Sequence, residues 1–420
     1  MKLMIKQKLM IFSALLVFVP LLFSALIIGY IVKSNIDDQS AQSMEKDARV
    51  AEQLYKNREL LIVQVVQNSA QSISAQGLFD LAQAPTGASN DPKSATSRVQ
   101  EEGNKRLASL LTSAQQAGNI DFIVVTDSKG NIIARQAEGE AGGSLSDNAL
   151  VVSIQNAVTA SRTYAQSSSI KESAEKIKLL AGEKLAQRAE IKAEGRSITD
   201  GLMIEAAAPI TNNNGRLLGI VLAGLLVNNA PQDRAVIEDI KTKLYPSLPD
   251  FSGASITLND VIISTNMPIQ QNGALGKRTT VAVSDVPKTS VETFNDEAYK
   301  SAYVPIKDIS QQVIGRVGVQ VKQSWFNAVL NKVLLIIVLI VLVFILGAIG
   351  VAIYAAQKLT KPIMELTEAS NNISLGKLDE SIQIKSDDEI GQLAEALERM
   401  RISLKQALDR LRSRRAQQAN

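Results

Sequence analysis

Two charged residues interrupt apolar, strand-like runs. Arg135 closes Ile132-Ile-Ala-Arg135, and Glu205 lies inside Gly201-Leu-Met-Ile-Glu-Ala-Ala-Ala-Pro209. A guanidinium grips a carboxylate through parallel N–H donors, and a carboxylate accepts from an amine. The two together would satisfy a zwitterion. Paired with each other, or turned to solvent, they would bind nothing. Further along, Arg278 and Tyr303 offer a second cation and a phenol, with a purely structural role as the alternative for each. No other arrangement reaches catalysis. The glycines from Gly139 to Gly143 lack the strand–helix setting and the lysine of a phosphate loop. Asp127 and Glu205 have no spacing that makes them an acid pair. Asp387-Asp388-Glu389 opens a helical pattern, where acidic side chains cap free N–H groups and meet the helix dipole rather than hold a metal.

What the chain lacks narrows its chemistry further. Among its 420 residues there is no cysteine and no histidine. Disulfides, thiolate chemistry, imidazole metal sites, a histidine phospho-acceptor and Ser-His or Cys-His pairs are thereby excluded within it. The expectation is a protein that is not an enzyme and carries no cofactor or metal. The net charge of +3 is mild. The basic tail, residues 412–420 with Arg410 just before it, suits anionic lipid headgroups or a solvated helix face, and no nucleic-acid partner is expected.

Two apolar runs set the positions of everything else. Residues 9–32 follow Lys2, Lys6 and Lys8; residues 329–356 precede Lys358 and Lys361. In the second run, Val333 to Tyr354 carries no charge, and about 22 residues at ~1.5 Å rise cover ~30 Å, enough for a bilayer core. Lysines on the outer flank of both runs mark the cytoplasmic side, so residues 1–8 are cytoplasmic and residues 33–328 face outward. A cleaved signal peptide is the alternative for the first run; its length and the lack of a small-x-small end favour an uncleaved anchor. Pro20 is tolerable within a membrane helix.

Between the runs the pattern alternates. Ile36 to about Leu81 reads as a long helix with Asp47, Val50, Leu54, Leu61, Val65 and Ile73 near one side. Ala84 to Gln100 reads as a loop, as does Gly139 to Gly143. Asp121 to Arg135 is a hairpin turning on Asp127-Ser-Lys-Gly130. Ala149 to Ala160 is helical, and Lys171 to Lys192 is a charged, Ala-rich helical pattern that looks like a surface insertion. Gly201 to Val227 is a second strand–turn–strand unit. Val236 to Leu244 is a short helix, Ser255 to Thr265 a hairpin, and Ser301 to Val321 another. "Ala-Ala-Pro209-Ile … Gly215-Arg" and "Tyr-Val-Pro305-Ile … Gly315-Arg" end two similar blocks, which implies a tandem repeat. Trp325 and Phe326 stand where amphipathic aromatics meet a membrane interface.

After the second run, Pro362 starts a short helix with Ile363, Leu366, Ala369 (or Ser370) and Ile373 on one face. A second helix follows from Glu389, with Ile390, Leu393, Leu397, Met400, Leu404, Leu408 and Leu411 on one stripe. Neither stripe can be buried by its own helix. The order of Pro362, Gly376, Leu378, Ile382, Glu389-Ile390-Gly391, Leu393 and Met400 resembles the HAMP module over residues 357–411. The resemblance implies a parallel, homodimeric four-helix bundle in which these residues relay a signal.

The outer region resembles the double Cache domain, two PAS-like modules on one long helix, as in bacterial chemoreceptors and sensor kinases. The residues that carry it are Val124 to Arg135, Ala206 to Ile210 with Gly215 to Gly219, Ile262 to Asn266, Gly276 to Arg278, and Tyr303 to Asp308 with Gly315. The distal module spans about 107–228 and the proximal one about 232–325. This resemblance implies a periplasmic or extracellular sensor of a small polar ligand (an amino acid, amine or carboxylate), held in the distal module as a rule. Arg135 and Glu205 would line that site, and Arg278 and Tyr303 a pocket in the proximal module. Relatives that bind dicarboxylates tend to carry a basic residue near the place of Glu205, and this chain departs from that.

The expected fold is therefore α+β: two tandem antiparallel-sheet modules on a long N-terminal helix, two transmembrane helices and a dimeric HAMP bundle. The expected function is that of a receptor in a bacterial inner membrane, homodimeric and acting on a separate cytoplasmic signalling protein, since the sequence stops soon after the second HAMP helix. A membrane-tethered solute-binding subunit and a truncated receptor remnant are the alternatives.

Overall fold

A computed structural model of the chain describes residues 5–83, 95–136, 142–193, 195–231, 235–269, 273–281, 287–355, 358, 360–384 and 386–418. The chain divides into two compact units. One comprises residues 36–329; the other joins residues 1–35 to residues 330–420. Parts of the two expected loops, 84–94 and 139–141, lie outside the described residues, as do Met1 to Met4.

In the larger unit, helix α1 (Ile5–Ala75) enters from the N-terminal segment and supplies a long packing face. Its buried side is Met44, Ala48, Ala51, Tyr55, Ile62, Val66, Ala70 and Ile73. This corrects the expected stripe, of which Val50 and Leu61 are exposed. The buried face lies about one residue, ~100°, further round the helix, and because it interleaves Ala48, Ala51 and Ala70 with the larger side chains it stands out less than the neighbouring stripe. A turn at Gln76-Gly77 breaks the helix before α2 (Leu78–Ala82), and α3 (Ala95–Gly118) follows.

The distal module is built from β1 (Phe122–Asp127), β2 (Ile132–Arg135), α4 (Ala149–Thr159), β3 (Gln166–Glu172), α5 (Ala174–Ala181), α6 (Glu183–Ala189), the ribbon β4 (Ile191–Ala193) and β5 (Arg196–Ile198), β6 (Gly201–Thr211) and β7 (Leu217–Leu226). The proximal module contains α7 (Val236–Leu244), β8 (Ser252–Leu258), β9 (Val261–Thr265), β10 (Lys288–Phe294), β11 (Glu297–Lys307) and β12 (Val313–Lys322). Among the described residues these form two five-stranded antiparallel sheets, ordered β2-β1-β7-β6-β3 and β9-β8-β12-β11-β10. The orders coincide when β8 is matched to β1 and β10 to β3, so the tandem repeat read from the sequence is a repeat of topology.

The Asp127 turn forms as its residue types require: the carboxylate accepts the N–H groups of Lys129 and Asn131, each at 2.8 Å. The expected surface insertion at Lys171 to Lys192 is a correction. It comprises the end of edge strand β3 and the two-helix cover α5–α6, whose Ile177, Leu180, Leu185 and Ala189 are buried against the distal sheet. Lysines and glutamates on the outer side of these short helices mask a contact face only two or three residues long. Arg188 on α6 holds this cover to the sheet, meeting the Asp121 carboxylate at 2.6 Å.

In the smaller unit, α8 (Gln323–Ala355), which begins in the larger unit, leads to α9 (Lys361–Ser374) and α10 (Glu389–Gln418). The helical stretches Phe18–Ala75 and Gln323–Tyr354 are long and apolar enough to cross a membrane. Strand β12 ends at Lys322 and α8 begins at Gln323, with no loop residue between them. Beside this junction Lys300 on β11 donates to the Asp37 carbonyl at 3.1 Å and stands over the Phe326 ring, 5.4 Å from its centroid.

Candidate functional site

Alternation along β6 decides which residues can meet a ligand. Leu202, Ile204, Ala206 and Ala208 join the core shared with α1, whereas Met203 and Ala207 join the core under α4–α6. Glu205 therefore faces the space between the sheet and α4–α6, where it is fully buried. One of its oxygens, Oε2, accepts from Asn148 Nδ2 at 3.0 Å; the other, Oε1, has no partner.

Asn148 is fixed by a second duty. Its Oδ1 caps α4, accepting from Leu150 N at 3.0 Å and Val151 N at 3.2 Å. Its Nδ2 also reaches Glu172 Oε1, at 3.4 Å. Glu172, at the end of β3, is buried too, and Lys176 on α5 lies 3.9 Å from it and 3.0 Å from Asp147. Burial, then the charge of Glu172, pushes the Glu205 carboxyl up to about 8, so it is held protonated at neutral pH. Burial raises Glu172 as well, against the pull of Lys176. The distal module thus contains an acidic, largely desolvated cluster with a single lysine at its side. Asn148 and Glu172 escaped the sequence reading because they come from a loop and an edge strand that only the fold brings to Glu205.

The structure does not bring Arg135 to Glu205. Arg135 is on edge strand β2, and β1 and β7 stand between it and β6. Three interstrand steps make about 14 Å, beyond the span of one small amino acid. Arg135 instead donates to the Leu179 carbonyl at 2.8 Å and the Gly142 carbonyl at 2.7 Å, tying α5 to the loop after β2. The expected two-ended grip on a zwitterion is corrected accordingly.

In the proximal module Arg278 is exposed and pairs with Asp260 at 2.9 Å beside the β8–β9 turn. Tyr303 is buried, and its hydroxyl donates to Glu292 Oε2 at 2.8 Å. A cleft of 510 Å³ that the sequence did not announce lies between α1 and the edges of both sheets; Arg49, Tyr55, Glu59, Ser169, Pro305 and Asp308 are among its lining residues. It is polar and of mixed charge, and Tyr55 and Ser169 bond across it at 2.8 Å.

The residues expected to relay a signal lie in the smaller unit. Pro362 is in the first turn of α9, where its missing N–H costs nothing. Leu366 and Ile373 are buried, and Gly376 takes φ 82° as the helix ends. Leu378 is buried, and Ile382 is half-buried with its N–H donated to Glu398 Oε2 at 3.0 Å. Arg401 completes the clasp: it grips Glu398 at 2.6 and 2.8 Å and donates to the Leu378 carbonyl. Asp388 caps α10, accepting from Ile390 N at 3.0 Å and Gly391 N at 3.3 Å. Gly391 packs so closely on the Ser386 carbonyl that a Cβ would overlap it. Glu389 is exposed at the start of α10, while Leu393 and Met400 present unburied side chains on the same helix.

With this geometry in place, residues 354–406 match the HAMP domain family and form a HAMP domain following a helix of membrane-spanning length and a two-module α+β domain. The chain is similar to the methyl-accepting chemotaxis protein TlpB of Bacillus subtilis, at 31% identity over 116 residues; the match spans 28% of this chain and 17% of that protein. It is also similar to the ligand-binding domain of the Pseudomonas fluorescens chemoreceptor CtaA, solved with L-isoleucine (15% identity, 71% of this chain, 98% of that one, TM-score 0.37). The periplasmic domain of Vibrio cholerae LuxQ resembles it at 10% identity over 66% of this chain and 99% of that one, with a TM-score of 0.35.

Proposed function

We propose that this chain is a homodimeric receptor of a bacterial inner membrane, sensing a small polar ligand outside and passing the signal through its HAMP domain to a cytoplasmic signalling protein. The observation that carries this reading is the order of parts: β12 of the outer domain continues into α8, and the HAMP match starts at residue 354, within that same helix. A tether for a solute-binding subunit needs no such module.

The ligand is a small amine or amino acid, and its ammonium group meets Glu205. Glu205 is protonated in the empty site; an arriving ammonium would stabilise its ionised form, so that the carboxyl releases its proton and the otherwise unpartnered Oε1 accepts from the ligand. Arg135, three strands away and bonded to the Leu179 and Gly142 carbonyls, takes no part in this contact. In the test, the full chain with Met400→Cys is cross-linked in native membranes while amines and L-amino acids are screened. An active ligand changes the rate of disulfide formation, and Glu205→Gln abolishes the response. If no compound alters the rate, or Glu205→Gln responds as the parent does, the reading fails.

A further inference from the structure

The matched topologies allow the two modules to be compared position by position. Pro209 pairs with Ile220 and Pro305 with Arg316, and both hairpins carry a bulge just after the following pair. Four residues before each proline stand Glu205 and Ser301, on opposite numbers of the same rung. In the proximal sheet Ala302, Val304 and Ile306, with Val317, Val319 and Val321, belong to the core shared with α1. Their alternates Ser301, Tyr303, Arg316 and Gln320 therefore share the other face, the one occupied by Glu205 in the distal module.

That face is buried and its polar groups are incompletely bonded. Arg316 is 4% exposed, yet its Nε and Nη1 have no hydrogen-bond partner. The Ser301 hydroxyl and the Gln320 carbonyl oxygen are likewise buried without partners. The charges of Glu292 and Asp260 act on the guanidinium, but the Glu292 oxygens bond elsewhere and leave Nε and Nη1 unmet. Oε1 accepts from Thr279 Oγ1 at 2.7 Å and Thr280 N at 2.8 Å, and Oε2 from the Tyr303 hydroxyl. Tyr303 lies over Gly318, between the rungs of Arg316 and Gln320, and a side chain at that glycine would displace it. A buried guanidinium with unbonded N–H groups destabilises a fold unless something else meets them.

We propose that the proximal module is a second ligand site, in which Arg316 takes the carboxylate of a small hydroxy- or amino-carboxylate and Ser301 and Gln320 complete its contacts. A single cation beside Glu292 favours a monoanion over a phosphate dianion. The free oxygen of Gln320 requires the ligand to bring a donor, which a hydroxyl or ammonium group supplies. Arg316 is on β12, seven residues before α8 begins, so occupancy acts on the strand that feeds the second membrane helix. This site is independent of the distal one and survives if Glu205 binds nothing.

The test uses the full chain in detergent, as wild type, Arg316→Met and Glu205→Gln, titrated calorimetrically with glycolate, L-lactate and L-alanine. At least one compound binds wild type and Glu205→Gln equally and binds Arg316→Met at least ~10-fold more weakly, the loss of one charge-assisted pair. Without ligand, Arg316→Met melts at a higher temperature than wild type, because a structural arginine would behave in the opposite way. The proposal is overturned by no binding of all three to wild type, by undiminished binding to Arg316→Met, by loss of binding in Glu205→Gln, or by a lower ligand-free melting temperature in Arg316→Met.

Discussion

The Glu398 carboxylate accepts the backbone N–H of Ile382 at 3.0 Å, so a side chain on α10 holds the connector that precedes it. Arg401 and this backbone contact keep Glu398 well below the usual carboxylate range, at about 2. A carboxyl lowered in the fold contributes stability that is present above its unfolded value near 4.5 and is lost as pH falls toward 2. The Ile382 amide is therefore expected to stay protected from hydrogen exchange at pH 5 in the wild type and to exchange at least ~10-fold faster in Glu398→Ala. Equal protection in the two proteins would remove the clasp.

The opposite sign applies to Glu205. Its folded value is raised, so its contribution is complete below about 4.5 and declines as pH climbs through about 8. Wild type should lose melting temperature across that interval, and Glu205→Gln should lose less. Parallel melting curves from pH 5 to 9 would show that Glu205 is not the titrating group.

Removing Arg188 takes from the Asp121 carboxylate, with a side chain only 3% exposed, the guanidinium that meets it at 2.6 Å. The arginine is itself partly solvated, which lowers the cost to about 2–3 kcal/mol. Arg188→Ala should detach α6 first, detected as faster proteolysis between Lys178 and Lys192 than elsewhere in the chain. Uniform proteolysis would argue that α6 is held by its apolar side alone.

Leu393, Met400 and Leu404 are 53%, 46% and 43% exposed in a single chain, along one stripe of α10. A second copy would bury them. Because the chain has no native cysteine, single cysteines at 397, 400 and 404 report only on each other. Disulfide-linked dimers in membranes are expected at these positions and not at the outward-facing Arg399. Monomers throughout would exclude the parallel bundle.

The parts of this fold that were legible are those whose side chains announce themselves locally. Helix α7 has the expected limits, Val236–Leu244, and Asp388 caps α10 as an acid at a helix start should. Glu205 was visible as a lone charge in an apolar strand. Edge strands β3 and β10 were not, because Gln166-Ser-Ser-Ser-Ile-Lys-Glu172 and Lys288-Thr-Ser-Val-Glu-Thr-Phe294 bury only part of each side and show no clean alternation. Arg316 was hidden by its own repeat. Gly215-Arg216 and Gly315-Arg316 look alike, yet Arg216 is exposed in the turn before β7, whereas Arg316 is buried on β12 opposite Pro305, at the place that Ile220 takes in the distal sheet. The likeness of the two dipeptides is out of register with the likeness of the two sheets, and only strand pairing reveals which arginine is inside.

The direct passage from Lys322 to Gln323 has a geometric consequence. A loop would absorb small changes of strand position; here the last pleat of β12 fixes the azimuth at which α8 starts. One extra residue at the joint would turn every later side chain of that helix by about 100°, exchanging the faces it offers to its neighbours while leaving its composition intact. The start of α8 thus takes its angular phase from the strand that precedes it, with no loop residue between them to absorb a shift.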